Sequence, residues 1–301
     1  MLAPYFSKER IREWEPKIRT IAVQLLEPVL AEPECDLLAE VALPMPAVVL
    51  CAMLQLPSED WRLLKSWSLE IIDAARSEDA ARHRTANDAI YGYVRTVVED
   101  RRGAPRDPEA DLITGLLDLR VNGQPLDDDE ITGVIRLLLQ AGHNTTTNGI
   151  GSAFMHLAAH PDAQARLRDR PELIPEAVDE ILRAFSPAQL MGRSLARPVE
   201  IHGRPLEPGD KVALLWAAAN RDPAVFDDPD TVDLERGGNR HVAFGYGIHR
   251  CLGADLARTE MRIAIEELLA RTTAFHLVGP APQVGWPSVG PASVPVRLRP
   301  A

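Results

Sequence analysis

Apolar residues recur at three- and four-residue intervals along most of the chain, which predicts a mainly helical protein. In the first such segment, 6–30, Ser7 is suited to cap the helix, whereas Pro16 lies inside it and is expected to kink or split it. The other predicted helices are two short ones within 36–56, one from 61 capped by 58–60, and helices at 80–102, 161–170, 175–185 and after Cys251, while the segment 111–119 is short and apolar. Short strands are predicted at 198–201, at 211–215 and in the proline-rich tail, 280–301.

The longest predicted helix opens at Asp127, which forms a capping-box pattern with Glu130, and its periodicity extends to residue 160, where Pro161 stops it. That is roughly 30 residues, or ~45 Å of helix. Its middle, 141–149, is rich in glycine and threonine, which are poor helix formers. We therefore expect a local opening of the hydrogen-bond ladder there, a distortion that often accompanies a functional site.

Composition and charge limit the class of protein. The 301 residues are 46% hydrophobic and 26% charged, which is ordinary for a globular protein, and we expect one domain over 1–301. The net charge of −11 argues against a protein that binds nucleic acid through its charge. The most apolar stretch, 41–56, is interrupted by prolines and is shorter than the ~20 residues of a membrane-spanning helix. Three scattered cysteines fit a reducing compartment, so the expected location is the cytoplasm, without a membrane anchor.

One cysteine stands in a setting suited to chemistry. Cys251 ends a glycine-rich loop just ahead of an apolar helix, and the positive potential at the start of a helix favours a thiolate. Gly245 and Gly253 leave room for a flat ligand to approach the backbone, and Phe244 can shield the sulfur from water. These features suit the axial ligand of a haem iron.

Other interpretations of these residues are simpler. A lone cysteine is most often a small buried apolar side chain. A structural zinc site needs four ligands, whereas His241, His249 and Cys251 supply three. The glycines do not form a dinucleotide-binding pattern, because position 250 is arginine. The full pattern over 244–253 is more specific than any of its parts.

That ten-residue pattern resembles the haem-binding loop of the cytochrome P-450 monooxygenases. The resemblance implies a mainly helical fold with small β-sheets and a haem b cofactor held by the Cys251 thiolate. It also implies that His249 and Arg193 contact the haem propionates. The residues expected to edge the substrate pocket are Gln189, Leu190 and Met191.

The middle of the long helix resembles the oxygen-binding groove of the same family. Ala141 and Gly142 match the small residues that admit dioxygen, and Thr145 matches the threonine that hydrogen-bonds it. Taken alone, the segment is equally well explained as a polar patch between helices. The family usually has an acid at position 144, but this chain has Asn144, and an amide does not exchange protons at neutral pH. Proton delivery is therefore expected to use another route, and His143 is not favoured because it points about 100° around the helix from Asn144.

A pair three residues apart, Glu180 and Arg183, lies on one helix face. Such a pair is usually an exposed ion pair worth well under ~1 kcal/mol. The resemblance implies instead a buried lock with a third member, Arg236, whose role is structural. Loss of one partner from a buried group of this kind would cost ~3–5 kcal/mol.

The resemblance begins part-way through the family's fold, so the chain is N-terminally shortened relative to it. Either the true start lies upstream or the short chain is the product and has a more open site. The expected activity is insertion of one oxygen atom from O2 into an organic small molecule, with electrons from a ferredoxin or flavodoxin-type donor and its reductase. Arg240, Arg250 and Arg258 are expected to attract that donor. Two alternatives stay open, namely a truncated haem-binding protein without full turnover and a peroxide-driven peroxygenase.

Overall fold

Helices dominate the structure, a computed structural model that describes residues 2–285 and 288–301. The α-helices are α1 (Lys8–Leu30), α2 (Pro44–Met53), α3 (Trp61–Arg76), α4 (Ala80–Gly103), α5 (Leu112–Asp118), α6 (Asp128–Ala141), α7 (Asn144–Ala159), α8 (Pro161–Asp169), α9 (Ile174–Phe185), α10 (Trp216–Ala219) and α11 (Ala254–Arg271). The helices that the apolar spacing predicts are present, except that the longest is interrupted. The two short helices within 36–56 are a π-helix, Leu38–Ala42, followed by α2.

The predicted N-cap of the first helix is confirmed. Ser7 caps α1 by accepting a hydrogen bond from the Arg10 backbone N–H, 3.2 Å away. Pro16 does not split α1, which runs without a break through this residue. The other predicted cap, at 58–60, is instead a 3-10 turn, and Asp60 makes no side-chain capping bond to α3.

The long predicted helix is two helices, α6 and α7, separated by Gly142 and His143. The capping box at Asp127 and Glu130 is confirmed at the start of α6. The expected opening is confirmed as well, but it interrupts the helix completely. Gly142 closes α6 through its N–H on the carbonyl of Leu138, and His143 leaves the helical conformation with φ of −124°.

The strands form small sheets at the edges of the helical body. They are β1 (Glu34–Asp36), β2 (Arg120–Val121), β3 (Gln124–Pro125), β4 (Met191–Ser194), β5 (Val199–Ile201), β6 (Arg204–Leu206), β7 (Lys211–Leu214), β8 (Thr272–Leu277), β9 (Gln283–Val284), β10 (Gly290–Pro291) and β11 (Pro295–Pro300). All described pairs are antiparallel: β1 with β11, β11 with β8, β4 with β7, β5 with β6, β2 with β3, and β9 with β10. The predicted strands at 198–201 and 211–215 exist, but they pair with β6 and β4, which the sequence did not predict. The predicted extended tail includes Trp286 and Pro287, which lie outside the described residues.

Helix α7 runs through the core and carries the site residues next to tightly packed neighbours. It contacts α2, α9, α11 and β8. Ile150 and Phe154 are fully buried, and a Cβ placed on Gly149 would lie 2.9 Å from the sulfur of Met261 on α11. The helix that follows Cys251 is therefore held directly against the helix that carries Thr145. Within the described part of the chain, no helix is long and apolar enough to cross a membrane.

Candidate active site

The cysteine loop, residues 244–253, is a closed turn that presents its sulfur at the surface. The Cys251 backbone N–H donates to the carbonyl of Phe244 at 2.8 Å and so ties the two ends together. Gly245 and Gly247 have φ of +71° and +78°, a conformation that L side chains rarely adopt. Cys251 is exposed, and Ile248 at the tip of the loop is 97% exposed.

The Cys251 thiol is not ionised by its surroundings alone. Although the residue reaches solvent, burial of the sulfur by the protein packed around it raises the thiol pKa. A hydrogen bond from the Gly253 N–H and the charges of Arg250 and Arg258 act in the opposite direction but do not outweigh it. The donors at the start of α11 thus favour the thiolate, as the sequence predicts, but in the polypeptide alone burial has the larger effect on the thiol pKa. Coordination to a metal cation is what removes such a proton.

Phe244 is held beside the cysteine by charged neighbours. The Arg258 guanidinium lies 4.6 Å from the centre of the Phe244 ring, and its Nε donates to Asp179 at 2.7 Å. His241 also binds Asp179, at 3.1 Å, and stands 5.9 Å from the Phe244 ring. These contacts assign His241 to the support of the loop. The described residues contain no group of three side chains that could hold a metal ion.

Residues at the break between α6 and α7 differ in exposure. Ala141 is exposed, and Thr145 is half-buried without a side-chain hydrogen bond to the described residues. Gly142 is required by packing, because a Cβ there would stand 2.8 Å from the carbonyl of Leu138 and 3.1 Å from the Leu50 side chain.

Asn144 is bonded on both sides of its carboxamide. Its Oδ1 accepts from the Nζ of Lys65 at 2.8 Å, and its Nδ2 donates to the Ser68 hydroxyl at 3.0 Å. Lys65 also donates to Thr147 at 3.3 Å. The sequence reasoning missed Lys65, but a signal was present: Lys65 and Ser68 fall on the buried face of α3, with Leu64.

His143 does not titrate near neutral pH. Its pKa is lowered to about 3, first by burial and then by the nearby Lys65 charge, against a hydrogen bond to the Leu139 backbone that raises it. Its Nε2 is buried without a hydrogen-bond partner among the described residues. The expectation that His143 would not replace the missing acid agrees with this environment.

Two chain segments bring the predicted pocket residues towards the same region. Trp216, which follows β7, lies 3.8 Å from a Cβ position on Gly245 of the cysteine loop. Ala188 forms a β-bridge with Ser288, which accepts a hydrogen bond from Asn148 of α7 at 3.1 Å. Because β4 pairs with β7, which leads to Trp216, the segment 186–194 connects the cysteine loop with α7, the helix that carries Thr145.

The predicted pocket residues differ in exposure. The Gln189 side chain donates to the Ser186 carbonyl at 2.6 Å, Leu190 is half-buried, and Met191 is 49% exposed at the start of β4. Arg193 is half-buried on β4, donates to its neighbour Gly192 at 2.8 Å, and has no carboxylate partner among the described residues. His249 is exposed on the cysteine loop. No direct hydrogen bond joins Thr145, Arg193 and Cys251 within the described chain.

Glu180 is the centre of a buried ion-pair group. Arg183 donates to both of its carboxylate oxygens, at 2.7 and 2.8 Å, and both side chains are fully inaccessible. Arg236 donates to the same oxygens at 3.2 Å, with further bonds from the Asp233 N–H at 2.9 Å and from Asn239 at 3.0 Å. Burial acts to raise the Glu180 pKa, but these donors hold it below its ordinary value.

Arg183 carries the connection into the loop that leads to the cysteine. Its remaining N–H groups donate to the backbone carbonyls of Asn220, Pro229 and Thr231, at 2.7–2.9 Å. Asn220 is itself buried and accepts from the Val242 N–H at 2.7 Å. The ion-pair group thus fastens α9 to the segment that ends in the cysteine loop.

The residues at this place fit haem b. Cys251 offers a surface thiol of the kind that binds iron, and Arg193 and His249 supply groups that bind carboxylates such as the propionates. Large apolar side chains, Met191 at 49% and Leu215 at 54% exposure, stand at the end of the β4–β7 pair, next to Trp216, which lies against the loop. These features fit the class of haem-thiolate proteins.

Comparison with known proteins supports the same class of protein. The family model described as Cytochrome P450 matches residues 50–172 and 170–289. A "Cytochrome P450" of Bacillus subtilis is 38% identical over 286 residues, covering 93% of this chain and 68% of the relative. A 20-oxo-5-O-mycaminosyltylactone 23-monooxygenase of Streptomyces fradiae is 36% identical over 280 residues, covering 91% of this chain and 64% of the relative. The crystal structure of CYP108D1 from Novosphingobium aromaticivorans matches this structure with a TM-score of 0.90 at 32% identity. The match covers 100% of this chain and 72% of that one.

The chain belongs to the cytochrome P450 family, and it spans about two thirds of the length of these relatives. Family members are haem b enzymes that transfer one oxygen atom from O2 to an organic molecule, and this is the enzyme class of the chain. The predicted fold class is confirmed by the close match in structure.

Proposed function

We propose that this chain acts as a monooxygenase on a small organic substrate through the haem-thiolate site at Cys251, with electrons from a separate ferredoxin or flavodoxin-type protein and its reductase. The observation that carries the proposal is the exposed Cys251 thiol in its closed glycine loop, on a helix packed against the helix of Thr145. Haem b, when bound there, supplies the redox-active iron and the activation of dioxygen.

The protein residues then have separate tasks. Cys251 would hold the haem iron through its sulfur, and Phe244, held by Arg258, would keep water from it. Arg193 and His249 bind the propionates and so set the orientation of the haem. Thr145, half-buried at the start of α7, donates a hydrogen bond to the oxygen that is being reduced.

We place the substrate pocket next to Thr145, on the side of the site away from the Cys251 sulfur. Gln189, Leu190 and Met191 edge it, since the segment that carries them is joined through Ser288 to α7. Ala141, exposed at the break, leaves space next to Thr145, whereas the Cβ position of Gly142 is occupied by the Leu138 carbonyl and the Leu50 side chain.

The electron donor is proposed to dock on the exposed face of the cysteine loop. Arg240 and Arg250 are exposed and have no ion-pair partner in the described chain, so they can attract an acidic protein. Arg258 is less available than predicted, because its guanidinium is already bonded to Asp179.

A second candidate is peroxide-driven oxygenation, and one observation favours it. Asn144 takes the place of the acid expected from the family pattern, and hydrogen peroxide brings both of its oxygen atoms already reduced and protonated. Turnover with peroxide and no electron donor would select this candidate. Turnover that requires ferredoxin and reductase would select the first.

The test of the proposed function is the absorption spectrum of the reduced, carbon monoxide-bound protein. Wild type and Cys35→Ala are expected to show the strongly red-shifted band of thiolate ligation, because Cys35 lies on β1 and not in the loop. Cys251→Ala is expected to lose it. An unchanged spectrum in Cys251→Ala would overturn the assignment of the ligand.

A further inference from the structure

Lys65 on α3 is a buried amine that lies against the break between α6 and α7. The residue is 3% exposed, and its Nζ donates to Asn144 at 2.8 Å and to Thr147 at 3.3 Å. Ser68, one turn further along α3, binds the amide nitrogen of Asn144 and so keeps its oxygen turned towards Lys65. Two positions on α3 therefore serve one side chain at the break.

This lysine is buried without a compensating charge. Its partners are a carboxamide and a hydroxyl, and no carboxylate of the described residues pairs with it. Burial lowers the Lys65 pKa to about 8. A side chain that only filled this space would be less costly as methionine or leucine, since an unpaired buried ammonium is unfavourable.

Three other buried or half-buried ionisable groups near α3 have pKa values shifted away from neutral pH. His143 has a pKa of about 3, and Cys51 on α2 has a pKa of about 12. On the α4 side, Tyr93 donates its hydroxyl proton to Asp60 at 2.6 Å, and burial followed by this bond raises its pKa. Lys65 is the group of this set that can both hold and release a proton in the physiological range.

We propose that Lys65 is the proton-holding residue of the oxygen-binding groove and delivers protons at Asn144 and Thr145, in the place of the acid that the family pattern has at position 144. The proposal rests on the proposed function, because it concerns the reduction of dioxygen at that site. Asn144 positions the amine, and the Thr147 hydroxyl provides a second contact.

The proton count balances. One oxygenation takes the substrate, O2, two electrons from the donor protein and two protons, and yields the oxygenated product and water. Lys65 releases a proton from Nζ towards the oxygen that is being reduced and takes one back from solvent, so its own protonation is unchanged over the cycle. The donor protein is the reductant, and O2 is the oxidant.

Two substitutions separate proton transfer from a purely structural tether. Lys65→Arg retains a positive charge and hydrogen-bond donors, but an arginine does not release its proton in a protein. Lys65→Met removes both functions. Lys17→Met is the matched control, because Lys17 is exposed on α1.

The first readout needs no turnover. The chain contains four lysines, so 13Cε-labelled lysine gives a simple NMR spectrum, which Lys65→Arg assigns. In the reduced, carbon monoxide-bound protein, which is diamagnetic, Lys65 is expected to titrate near pH 8, below the ordinary lysine pKa of about 10.4. Titration of Lys65 at the ordinary lysine pKa would overturn the proposal.

The second readout is the rate at which the reduced protein returns to the ferric form in air-saturated buffer, in H2O and in D2O. Wild type and Lys17→Met are expected to lose rate as pH rises through about 8 and to show a solvent isotope effect. Lys65→Arg and Lys65→Met are expected to be about tenfold slower or more at pH 7, without that inflection. A wild-type profile in Lys65→Arg would make Lys65 a tether only. Absence of the thiolate band in wild type would instead refute the proposed function, whatever the NMR titration shows.

Discussion

Glu180 and Arg183, one helical turn apart on α9, form a two-bond ion pair from which water is fully excluded. Arg236 joins them from a position 56 residues further along the chain. The pair holds the loop that ends at Cys251 through three backbone carbonyls, so its removal is expected to loosen the haem-binding loop as well as α9.

Glu180→Ala should destabilise the protein by about 3–5 kcal/mol, because it leaves the Arg183 guanidinium buried without its counter-charge. Urea unfolding monitored by circular dichroism measures this. Glu13→Ala is the matched control, since Glu13 pairs with Arg10 at the same three-residue spacing but is exposed, and it should change stability little. Equal losses in the two variants would show that burial of the pair does not matter.

The pH dependence of stability should change when Glu260 is replaced. Glu260 is buried, one of its oxygens has no partner among the described residues, and burial raises its pKa well above the ordinary value. The folded state then binds a proton that the unfolded state releases, so this residue's contribution falls as pH rises through about 4.5 towards the folded pKa.

Glu260→Gln should therefore raise the melting temperature at pH 7 and have less effect near pH 4, where the carboxyl group is protonated in both states. Thermal unfolding at the two pH values checks this. A larger gain at pH 4 than at pH 7 would mean that Glu260 is ionised in the folded protein.

The packing at the helix break can be tested with glycine substitutions in and just after α6. Gly142→Ala should destabilise by about 1–3 kcal/mol, because the added Cβ meets the Leu138 carbonyl and the Leu50 side chain. Gly133→Ala is the control, since nothing lies within 4 Å of its Cβ position, and there alanine should stabilise by up to about 1 kcal/mol. Chemical denaturation gives both values, and a gain in stability from Gly142→Ala would contradict the close approach of Leu50 on α2.

Thr145→Ala should separate electron consumption from product formation. Loss of the hydroxyl removes the hydrogen bond proposed for the oxygen that is being reduced, so more peroxide is released per electron pair. The ratio of peroxide to oxygen consumed measures this, and Thr145→Ser, which retains the hydroxyl, should restore the wild-type ratio. Unchanged coupling in Thr145→Ala would remove Thr145 from the proposed mechanism.

Much of the fold followed from local pattern. The helix starts at Ser7 and Asp127 were predictable because capping depends on residues within one turn. The interruption at Gly142 was predictable for a similar reason, although the close approach of Leu50, which comes from another helix, was not. The strand that carries Arg193 was missed, because its polar residues become a strand only when β7 pairs with them.

Three features could be predicted without a structure: the helical class, the cysteine loop and the departure at Asn144. Each depends on a local pattern of residues in the sequence. Which distant groups meet depended on the way the chain packs. Lys65 reaches Asn144 across 79 positions, and Arg236 reaches Glu180 across 56. The physical reason is that local conformation depends on near neighbours, whereas burial and hydrogen bonding of a polar side chain depend on how the helices pack. The same lysine on an exposed face would be an ordinary surface charge.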